Sequence, residues 1–575
     1  MKTTSETFAG GSFLTTGIDP RTVFTREDLT EEQRLFGRTA LEFMQKEVLP
    51  REAELYAHNW TLTRELLRKA AELDLTRLEI PEEYGGLGLD KISAAYVGEQ
   101  IALNPSFAGS LGAHTSIGTL PLVYFGTDAQ KSRYLPRLAS TEFVGAYALT
   151  EPQSGSDALA AKTTARLTPD GRHYVLDGQK MWITNGAFAD LFTVFAKVDG
   201  QKFTAFLVER SMGVVSGRDE QKLGLDGSST TALMLDGVNV PVDNVLGTVG
   251  EGHKVAFNVL NFGRVKLGTR NISGAKQALA HAARYAKERR QFGKAIAEFG
   301  MIKQKLAEMS VRCYVGDAMV YRALGEVDRA LGAVDPSDGP RVMKTIEGFA
   351  VECSVNKVWT SEALAYCTDE AIQVFGGNGY SREFPVERAY RDARITRIYE
   401  GTNEINRLII PTRLLKNPGS LFDTTIPPGP TDTALGPEYQ LLASAKRLAV
   451  AALRHASEAF GDSVREEQEP LAHIADIVME VYAIESALAR TDKIASSHSS
   501  LGNIAVDSVS VYTSDAADRI CHAAKQVAAA LASRGRHGVL DDMLRPFATH
   551  AAIDSVAARR RIANAVIHAG KHPFE

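Results

Sequence analysis

The spacing of apolar residues changes twice along this chain, and this change constrains the fold more than any other feature. From residue 28 to about 145, apolar side chains recur every three or four residues, as in helices. Between 146 and 250 they alternate, as in half-buried strands, with Asp-Gly and Asn-Gly turns between the runs. Helical spacing then returns in segments near 253–290, 299–332, 340–376 and 402–416. The pattern predicts a β domain between two helical domains.

Three further segments lie outside this pattern. Residues 1–27 form a lead segment before the first helical domain. Residues 417–437 concentrate Pro, Gly, Asp and Thr, which is typical of a linker. Residues 438–575 are rich in Ala with helical spacing and favour an extra helical domain. The predicted fold class is therefore mainly α with a central β domain.

Composition excludes several classes of function. The chain has 65 Lys and Arg against 70 Asp and Glu, so no general positive field is available to hold nucleic acid. Its four Cys form no C-x-x-C pair and its His show no ligand spacing, so we expect no metal site. No leader pattern and no run of about 18 apolar residues is present, which favours a cytoplasmic protein.

Two polar strings with glycine lie where helices give way to strands. Residues 148–157 read Ala-Leu-Thr-Glu-Pro-Gln-Ser-Gly-Ser-Asp, and residues 178–186 place Trp182 two positions before Thr184. The first string is suited to direct backbone N–H groups at a phosphate, and the second offers an aromatic face. The alternatives are an ordinary connection between elements and a tryptophan in the core.

Two more strings lie in the second helical region. Residues 289–293 read Arg-Arg-Gln-Phe-Gly and suit the end of a helix, where an Arg either clamps a pyrophosphate or faces water. Residues 373–380 contain three glycines, which bring the backbone close to a ligand or to another helix.

Glu400 is the strongest single candidate for chemistry. It lies between Tyr399 and Gly401, just before a helix that begins near Thr402. A carboxylate that is partly desolvated there has a raised pKa and can act as a base. The alternative is an acid that complements the helix dipole.

Taken together, these strings resemble the acyl-CoA dehydrogenase family, with every long motif in order over roughly residues 28–415. The resemblance implies an N-terminal helical domain (28–145), a middle β barrel or sandwich (146–250) and a C-terminal four-helix bundle (251–416). The linker 417–437 and the extra helical domain 438–575 would follow. Family members bind FAD without a covalent bond, and a neighbouring subunit completes the site.

The resemblance also assigns roles to residues. Positions matching FAD contacts are Tyr147, Leu149, Thr150, Gly155, Ser156, Trp182, Ile183, Thr184, Arg289, Gln291, Phe292, Gln373, Gly377, Thr402, Asn403 and Glu404. Those from Arg289 to Gly377 would act across a dimer interface. Positions matching substrate contacts are Ser156, Asn261, Phe262, Gly263, Arg264, Tyr399 and Gly401.

Glu400 matches the catalytic base of the family. The implied reaction converts a saturated acyl-CoA to a trans-2-enoyl-CoA in fatty-acid β-oxidation. Glu400 would take a proton from Cα while hydride passes from Cβ to FAD. Some branches place the base on the acyl-CoA-binding helix, but residues 260–264 contain no carboxylate here, which favours Glu400.

The extension makes the chain most similar to the very-long-chain branch of the family. Small residues at Gly112 and Gly118 predict a deep acyl channel and a long-chain substrate. The branch further implies a homodimer, with a tetramer as the alternative, and an electron-transfer flavoprotein as electron acceptor. It also implies peripheral membrane contact through the extension, although the extension is not a polybasic anchor.

Two alternative functions share this fold. An acyl-CoA oxidase would use the same flavin chemistry but pass electrons to oxygen. An assembly or scaffold protein would keep the fold without turnover as its main role, which the retained Glu400 and Trp182 disfavour.

Overall fold

The computed structural model describes residues 10–336, 338–416, 418–495 and 500–575. Residues 1–9 of the predicted lead segment and residue 417 of the predicted linker lie outside the described residues. Contacts divide the chain into two compact units. We call Leu29–Ser273 with Leu331–Glu347 the sheet unit, and the rest of the described chain the helical unit.

Short helices come first in the sheet unit. They are α1 (Glu31–Phe43), α2 (Glu52–Tyr56), α3 (Trp60–Glu72), α4 (Lys91–Ile101), α5 (Pro105–Gly112), α6 (Leu120–Phe125) and α7 (Asp128–Ala139). A capping box at Thr30 and Gln33 starts α1, since each side chain bonds the other residue's backbone N–H. A π-helical turn at Ala113–Ile117 continues α5.

The alternating segment of the sequence forms one eight-stranded sheet. Its strands are β1 (Gly145–Ala148), β2 (Thr164–Leu167), β3 (His173–Thr184), β4 (Leu191–Val198), β5 (Lys202–Glu209), β6 (Val215–Asp219), β7 (Thr230–Pro241) and β8 (Val245–Leu246). The strand order is β6-β7-β3-β2-β4-β5-β8, with β1 pairing parallel to β4. Because alternate residues share a face, Phe192, Val194 and Phe206 bury one side of the sheet.

Long helices and one hairpin follow the sheet. They are α8 (Gly252–Glu288), β9 (Arg290–Gln291), β10 (Lys294–Ala295), α9 (Gly300–Gly332), α10 (Gly339–Gly348), α11 (Ala350–Phe375), α12 (Pro385–Ala393) and α13 (Asn403–Leu414). The helix predicted over 340–376 is therefore two helices. Gly348 weakens the helix, and Phe349 leaves the helical conformation with φ −90° and ψ 13°.

Further helices occupy the C-terminal part of the chain. They are α14 (Pro418–Phe422), α15 (Gly436–Phe460), α16 (Gln468–Ala495), α17 (Ser500–Ala532), α18 (Asp541–Ala548) and α19 (Ser555–Ala569). They share one hydrophobic core with the rest of the helical unit, to which Leu14, Leu306, Val355 and Leu448 all contribute. Within the described ranges, no helix has both the length and the apolar character needed to cross a membrane.

Candidate active site

Trp182 lies on a bulge of β3. The pairing of β3 with β7 shifts by one residue between Lys180 and Ile183, and Trp182 takes a left-handed φ of 61°. Its side chain is 53% exposed, whereas Ile183 is buried. A core position for Trp182 is therefore wrong, because the bulge turns the indole outward. Bulges of this kind commonly re-aim a side chain beside an active site.

The loop after β1 is anchored to β3 by a buried ion pair. Lys180 Nζ lies 2.7 Å from Glu151 Oε1, and both side chains are almost wholly buried. Met181 N donates to Thr150 O at 2.9 Å, so two neighbouring residues of β3 hold the loop. Burial alone would raise the pKa of Glu151, but the Lys180 charge and further hydrogen bonds hold it below its usual value.

This anchoring leaves part of the loop open to a ligand. Gly155 and Ser156 are exposed, and a Cβ at Gly155 would meet nothing within 4 Å. Leu149, Thr150 and Thr184 are partly exposed, while Tyr147 is buried against Phe195. Sequence reasoning missed Lys180 and Glu151 as a pair, although each lies inside a string that it singled out.

A hairpin carries Arg289, Gln291 and Phe292. Its two-residue turn is Phe292–Gly293, with left-handed φ values of 51° and 81°. Gly293 thus serves the hairpin turn rather than the helix end that the sequence suggested. The Phe292 side chain is 92% exposed, and Arg289 and Gln291 are exposed beside it. An apolar ring held in a strained and solvated position is typical of a contact surface.

The glycine string at the end of α11 lies close to α8, the helix that precedes the hairpin. Asn378 Nδ2 donates to Tyr285 Oη on α8 at 3.0 Å, and the Tyr285 ring stacks on Phe375. Gln373 and Gly377 are exposed. Gln373 and Gly377 are therefore accessible to solvent, like Arg289, Gln291 and Phe292 of the hairpin, as a ligand site requires.

Glu400 lies in a strained turn before α13. Glu400 and Gly401 both have left-handed φ values, 57° and 79°. For a glutamate this conformation costs about 1–3 kcal/mol, and such strain clusters at active sites. Glu400 Oε2 is withdrawn from solvent although the residue as a whole is only half-buried. Tyr399 is partly exposed beside it.

The helix-dipole alternative fits Glu404 better than Glu400. The side chain of Thr402 caps α13 by accepting from Ile405 N at 3.2 Å, so Glu400 precedes the helix while Glu404 lies in its first turn. A hydrogen bond from its own backbone N–H holds the pKa of Glu404 below its usual value. Asn403 is buried, and its side-chain amide bonds Lys357, Ser361 and Glu362.

The predicted substrate residues of α8 are buried. Arg264 Nη1 donates to Asn261 Oδ1 at 2.9 Å, which spans one helical turn around Gly263. The Phe262 ring stacks on Tyr124 and lies 5.0 Å from Lys91 Nζ.

The space beside Gly112 and Gly118, which was expected to form a deep acyl channel, is occupied by other atoms of the protein. A Cβ at Gly112 would lie 2.2 Å from Arg270 Nη1, so the guanidinium occupies that space. A Cβ at Gly118 would lie 2.6 Å from the backbone oxygen of Ala113. A cavity beside Gly98, Leu111 and Arg270 has a volume of about 30 Å³, which suits one water molecule. The prediction of a deep channel at these two positions is wrong, because both spaces serve close packing.

The groups that each unit exposes are of the chemical types that bind FAD. The sheet unit offers the indole of Trp182, the Thr184 hydroxyl and the open loop at Gly155. The helical unit offers the exposed Arg289 and the N-terminus of α13, both of which suit a pyrophosphate.

Comparisons with known proteins agree over most of the chain. The family models for the acyl-CoA dehydrogenase N-terminal, middle and C-terminal domains match residues 30–142, 146–238 and 250–415. A second acyl-CoA dehydrogenase C-terminal domain model matches residues 444–544.

Individual relatives extend this agreement. A probable acyl-CoA dehydrogenase of Bacillus subtilis is 46% identical over 502 residues, covering 84% of each chain. The mitochondrial very long-chain specific acyl-CoA dehydrogenase of Rattus norvegicus is 41% identical, over 60% of this chain and about half of its own length (52%). The crystal structure of an acyl-CoA dehydrogenase complexed with FAD from Bacillus anthracis is 40% identical. It covers 98% of this chain and 99% of its own, with a TM-score of 0.94. The chain belongs to the acyl-CoA dehydrogenase family of FAD-dependent oxidoreductases.

Proposed function

We propose that this protein removes hydrogen from the α and β carbons of an acyl-CoA thioester, with Glu400 as the base. The observation that carries the proposal is the Glu400 turn, where a carboxylate is held in a left-handed conformation with one oxygen withdrawn from solvent. A carboxylate that is strained and partly desolvated is suited to abstract a proton.

The α-proton of a thioester is too weakly acidic for a carboxylate in water. The base therefore needs a partly dry site, and the thioester oxygen needs hydrogen-bond donors that stabilise the developing negative charge. We assign one donor to the backbone N–H of Glu400, and substrate contacts to Tyr399, Gly401, Ser156 and the Asn261–Arg264 turn.

The remaining predicted residues would hold the cofactor. FAD, when bound, accepts the hydride that leaves Cβ. Trp182, Ile183 and Thr184 would pack against its ring system, and the loop from Leu149 to Ser156 would bond its polar edge. Arg289, Gln291, Phe292, Gln373 and Gly377 would contact the FAD of a second copy in a homodimer. Thr402, Asn403 and Glu404 would contact it through the start of α13.

The substrate and the electron acceptor rest on relatives. The very long-chain specific relative favours a long-chain acyl-CoA and a place in fatty-acid β-oxidation. Because Gly112 and Gly118 do not open a channel, the similarity to the very long-chain specific enzyme is the support for a long acyl chain. We propose an electron-transfer flavoprotein as the acceptor, in keeping with the family resemblance.

An anaerobic titration tests the function directly. Purified protein is mixed with saturated acyl-CoAs of increasing length while the flavin absorbance and the enoyl-CoA product are followed. We expect long-chain thioesters to bleach the flavin band, and Glu400→Gln to abolish the bleaching while keeping the flavin. Glu466→Gln, at an exposed acid outside the predicted flavin and substrate positions, is the matched control and should bleach normally.

Three outcomes would contradict parts of the proposal. Protein that holds flavin which no acyl-CoA reduces would favour a scaffold. Bleaching that survives in Glu400→Gln would remove Glu400 from its role. Rapid reoxidation of the reduced protein by oxygen would favour an oxidase.

A further inference from the structure

We propose that Lys357 and Asn406 are positioning residues for Glu400, because together they hold the backbone carbonyls of the strained turn. The inference rests on the proposed role of Glu400 as the base. Neither residue lies in a string that the sequence analysis singled out, and both are fully buried.

Asn406 binds the turn from inside α13. Its Nδ2 lies 3.3 Å from Glu400 O, 2.9 Å from Gly401 O and 3.0 Å from Thr402 O. A carbonyl oxygen accepts hydrogen bonds but cannot donate one. The Asn406 amide must therefore turn its NH₂ group, and not its oxygen, towards these three carbonyls. A single side chain therefore serves three consecutive carbonyls of the turn.

Lys357 binds the same turn from α11. Its Nζ donates to Gly401 O at 2.6 Å and to Asn403 Oδ1 at 2.7 Å. A wholly buried ammonium is stable only with close polar partners, so its contacts are expensive to lose. The Gly401 carbonyl oxygen thus accepts from both the Lys357 ammonium and the Asn406 amide.

Asn403, which accepts a hydrogen bond from Lys357, makes further hydrogen bonds of its own. Asn403 Nδ2 donates to Ser361 Oγ at 3.0 Å and to Glu362 Oε1 at 3.1 Å. Glu362 forms an ion pair with Arg407, which also pairs with Asp476 on α16. The turn therefore rests on a connected polar network that joins α11, α13 and α16.

This network explains how the strained conformation persists. Two successive left-handed residues relax readily unless their neighbours over-determine them. If the carbonyls of Glu400 and Gly401 lost their donors, the turn could rotate and displace the carboxylate. A displacement of about 1 Å can cost on the order of 100-fold in rate, even when the reacting groups are unchanged.

The test measures proton abstraction separately from hydride transfer. A 3-thia-acyl-CoA has sulfur in place of Cβ, so it can lose an α-proton but has no β-hydride to give. Exchange of its α-protons in D₂O, followed by NMR with the flavin-loaded protein, reports on the base alone. Flavin content, analogue affinity and thermal unfolding are measured on the same samples.

Lys357→Met and Asn406→Leu remove the donors while nearly keeping side-chain volume. We expect each to slow α-proton exchange by about 10- to 100-fold, with flavin content and analogue affinity near wild type. Lys276→Met is the matched control, since Lys276 is an equally buried lysine of the helical unit paired with Asp317 at 2.8 Å. With Lys276→Met, the α-protons of the analogue should exchange at the wild-type rate.

The remaining outcomes decide against one proposal or the other. A folded, flavin-loaded Lys357→Met or Asn406→Leu that exchanges like wild type would overturn the positioning role. Failure of both to fold, while Lys276→Met folds, would show a structural role instead and overturn it too. Absence of exchange in wild type would instead count against Glu400 as the base.

Discussion

Left-handed backbone marks three residues that the sequence had already singled out. Trp182, Phe292 and Glu400 have φ values of 61°, 51° and 57°, and none of them is glycine. Each such residue costs about 1–3 kcal/mol, so the surrounding structure must hold it in place. At the scale of single residues, backbone strain is therefore found at two predicted flavin contacts and at the predicted base.

Phe292 offers a direct test of that strain. The ring is 92% exposed, so Phe292→Gly loses almost no buried area while relieving the left-handed backbone. We expect the flavin-free protein to be stabilised by about 1 kcal/mol, while flavin affinity falls. Thermal unfolding and flavin titration check both effects.

The matched control for Phe292 is another exposed apolar residue. Met301 is 78% exposed and lies in the first turn of α9, so Met301→Gly should destabilise the protein by less than about 1 kcal/mol through helix propensity. Equal destabilisation by both glycine substitutions would argue against strain at Phe292.

His114 predicts a pH dependence of stability. Its Nδ1 accepts from Gly145 N at 3.0 Å, so Nε2 carries the proton and donates to Leu138 O at 3.1 Å. Burial lowers the pKa of His114 to about 4 from the ordinary 6.5. The unfolded chain therefore takes up a proton first, and stability is lost as pH falls from about 6.5 to about 4. The slope should be about 1.4 kcal/mol per pH unit.

Denaturant unfolding at a series of pH values measures this slope. His114→Gln cannot titrate, so its stability should change less over the same interval. A wild-type slope that His114→Gln retains in full would assign the dependence to other groups.

At the scale of elements, β3 performs two tasks on opposite faces. Its bulge lets Trp182 point outward while Lys180, two residues earlier, stays wholly buried. Without the bulge, residues 180 and 182 would share one face of the strand. One strand therefore presents the predicted flavin contact and anchors the loop that carries the others.

Lys180→Met should separate that loop from its anchor. Removing the ammonium leaves Glu151 buried with one partner fewer, at a cost of about 3–5 kcal/mol. We expect weaker flavin binding and a lower unfolding midpoint. The double variant Lys180→Met/Glu151→Gln should recover part of the stability, because no buried charge is then left over.

Flavin titration and thermal unfolding of the single and double variants check this prediction. If Lys180→Met bound flavin as wild type does, the loop would not depend on the ion pair.

At the scale of the whole molecule, buried charge links distant parts of the helical unit. Arg490 on α16 is wholly buried and donates to Glu27 Oε1 at 2.7 Å and to Tyr314 O at 3.1 Å. The guanidinium also lies 4.5 Å from the centroid of the Tyr314 ring and 5.5 Å from that of Phe574. The lead segment, α9, α16 and the last residues of the chain thus meet at one side chain.

Arg490→Met should destabilise the helical unit by about 3 kcal/mol, because it leaves the Glu27 carboxylate without its cation and the Tyr314 carbonyl without its donor. Arg561→Met is the control, since the Arg561 side chain is 57% exposed and its pair with Asp507 should contribute about 1 kcal/mol or less. Thermal unfolding compares the two. Similar losses from both variants would show that burial of Arg490 does not set its contribution.

The elements could be predicted because the information for them is local. A capping box at Thr30 and Gln33 and the alternation in β7 each depend on a few neighbouring residues, so they can be recognised without knowing what packs against them. The break at Gly348 and the bulge at Trp182 could not be predicted, because each depends on what packs against the chain there. The same limit applies to Gly112, which looked open until Arg270 was placed beside it.

The sequence alone determined the order of helical and β segments and the strings that identify an FAD-dependent acyl-CoA dehydrogenase. These depend on residue types at short spacing, which chemistry constrains directly. Only the tertiary structure decided how Glu400 is held, since Lys357 lies 44 residues from the Gly401 carbonyl it binds. It also decided that the N-terminal and C-terminal segments share one core. Side chains so far apart in sequence leave no periodic signal, and only folding brings them into contact.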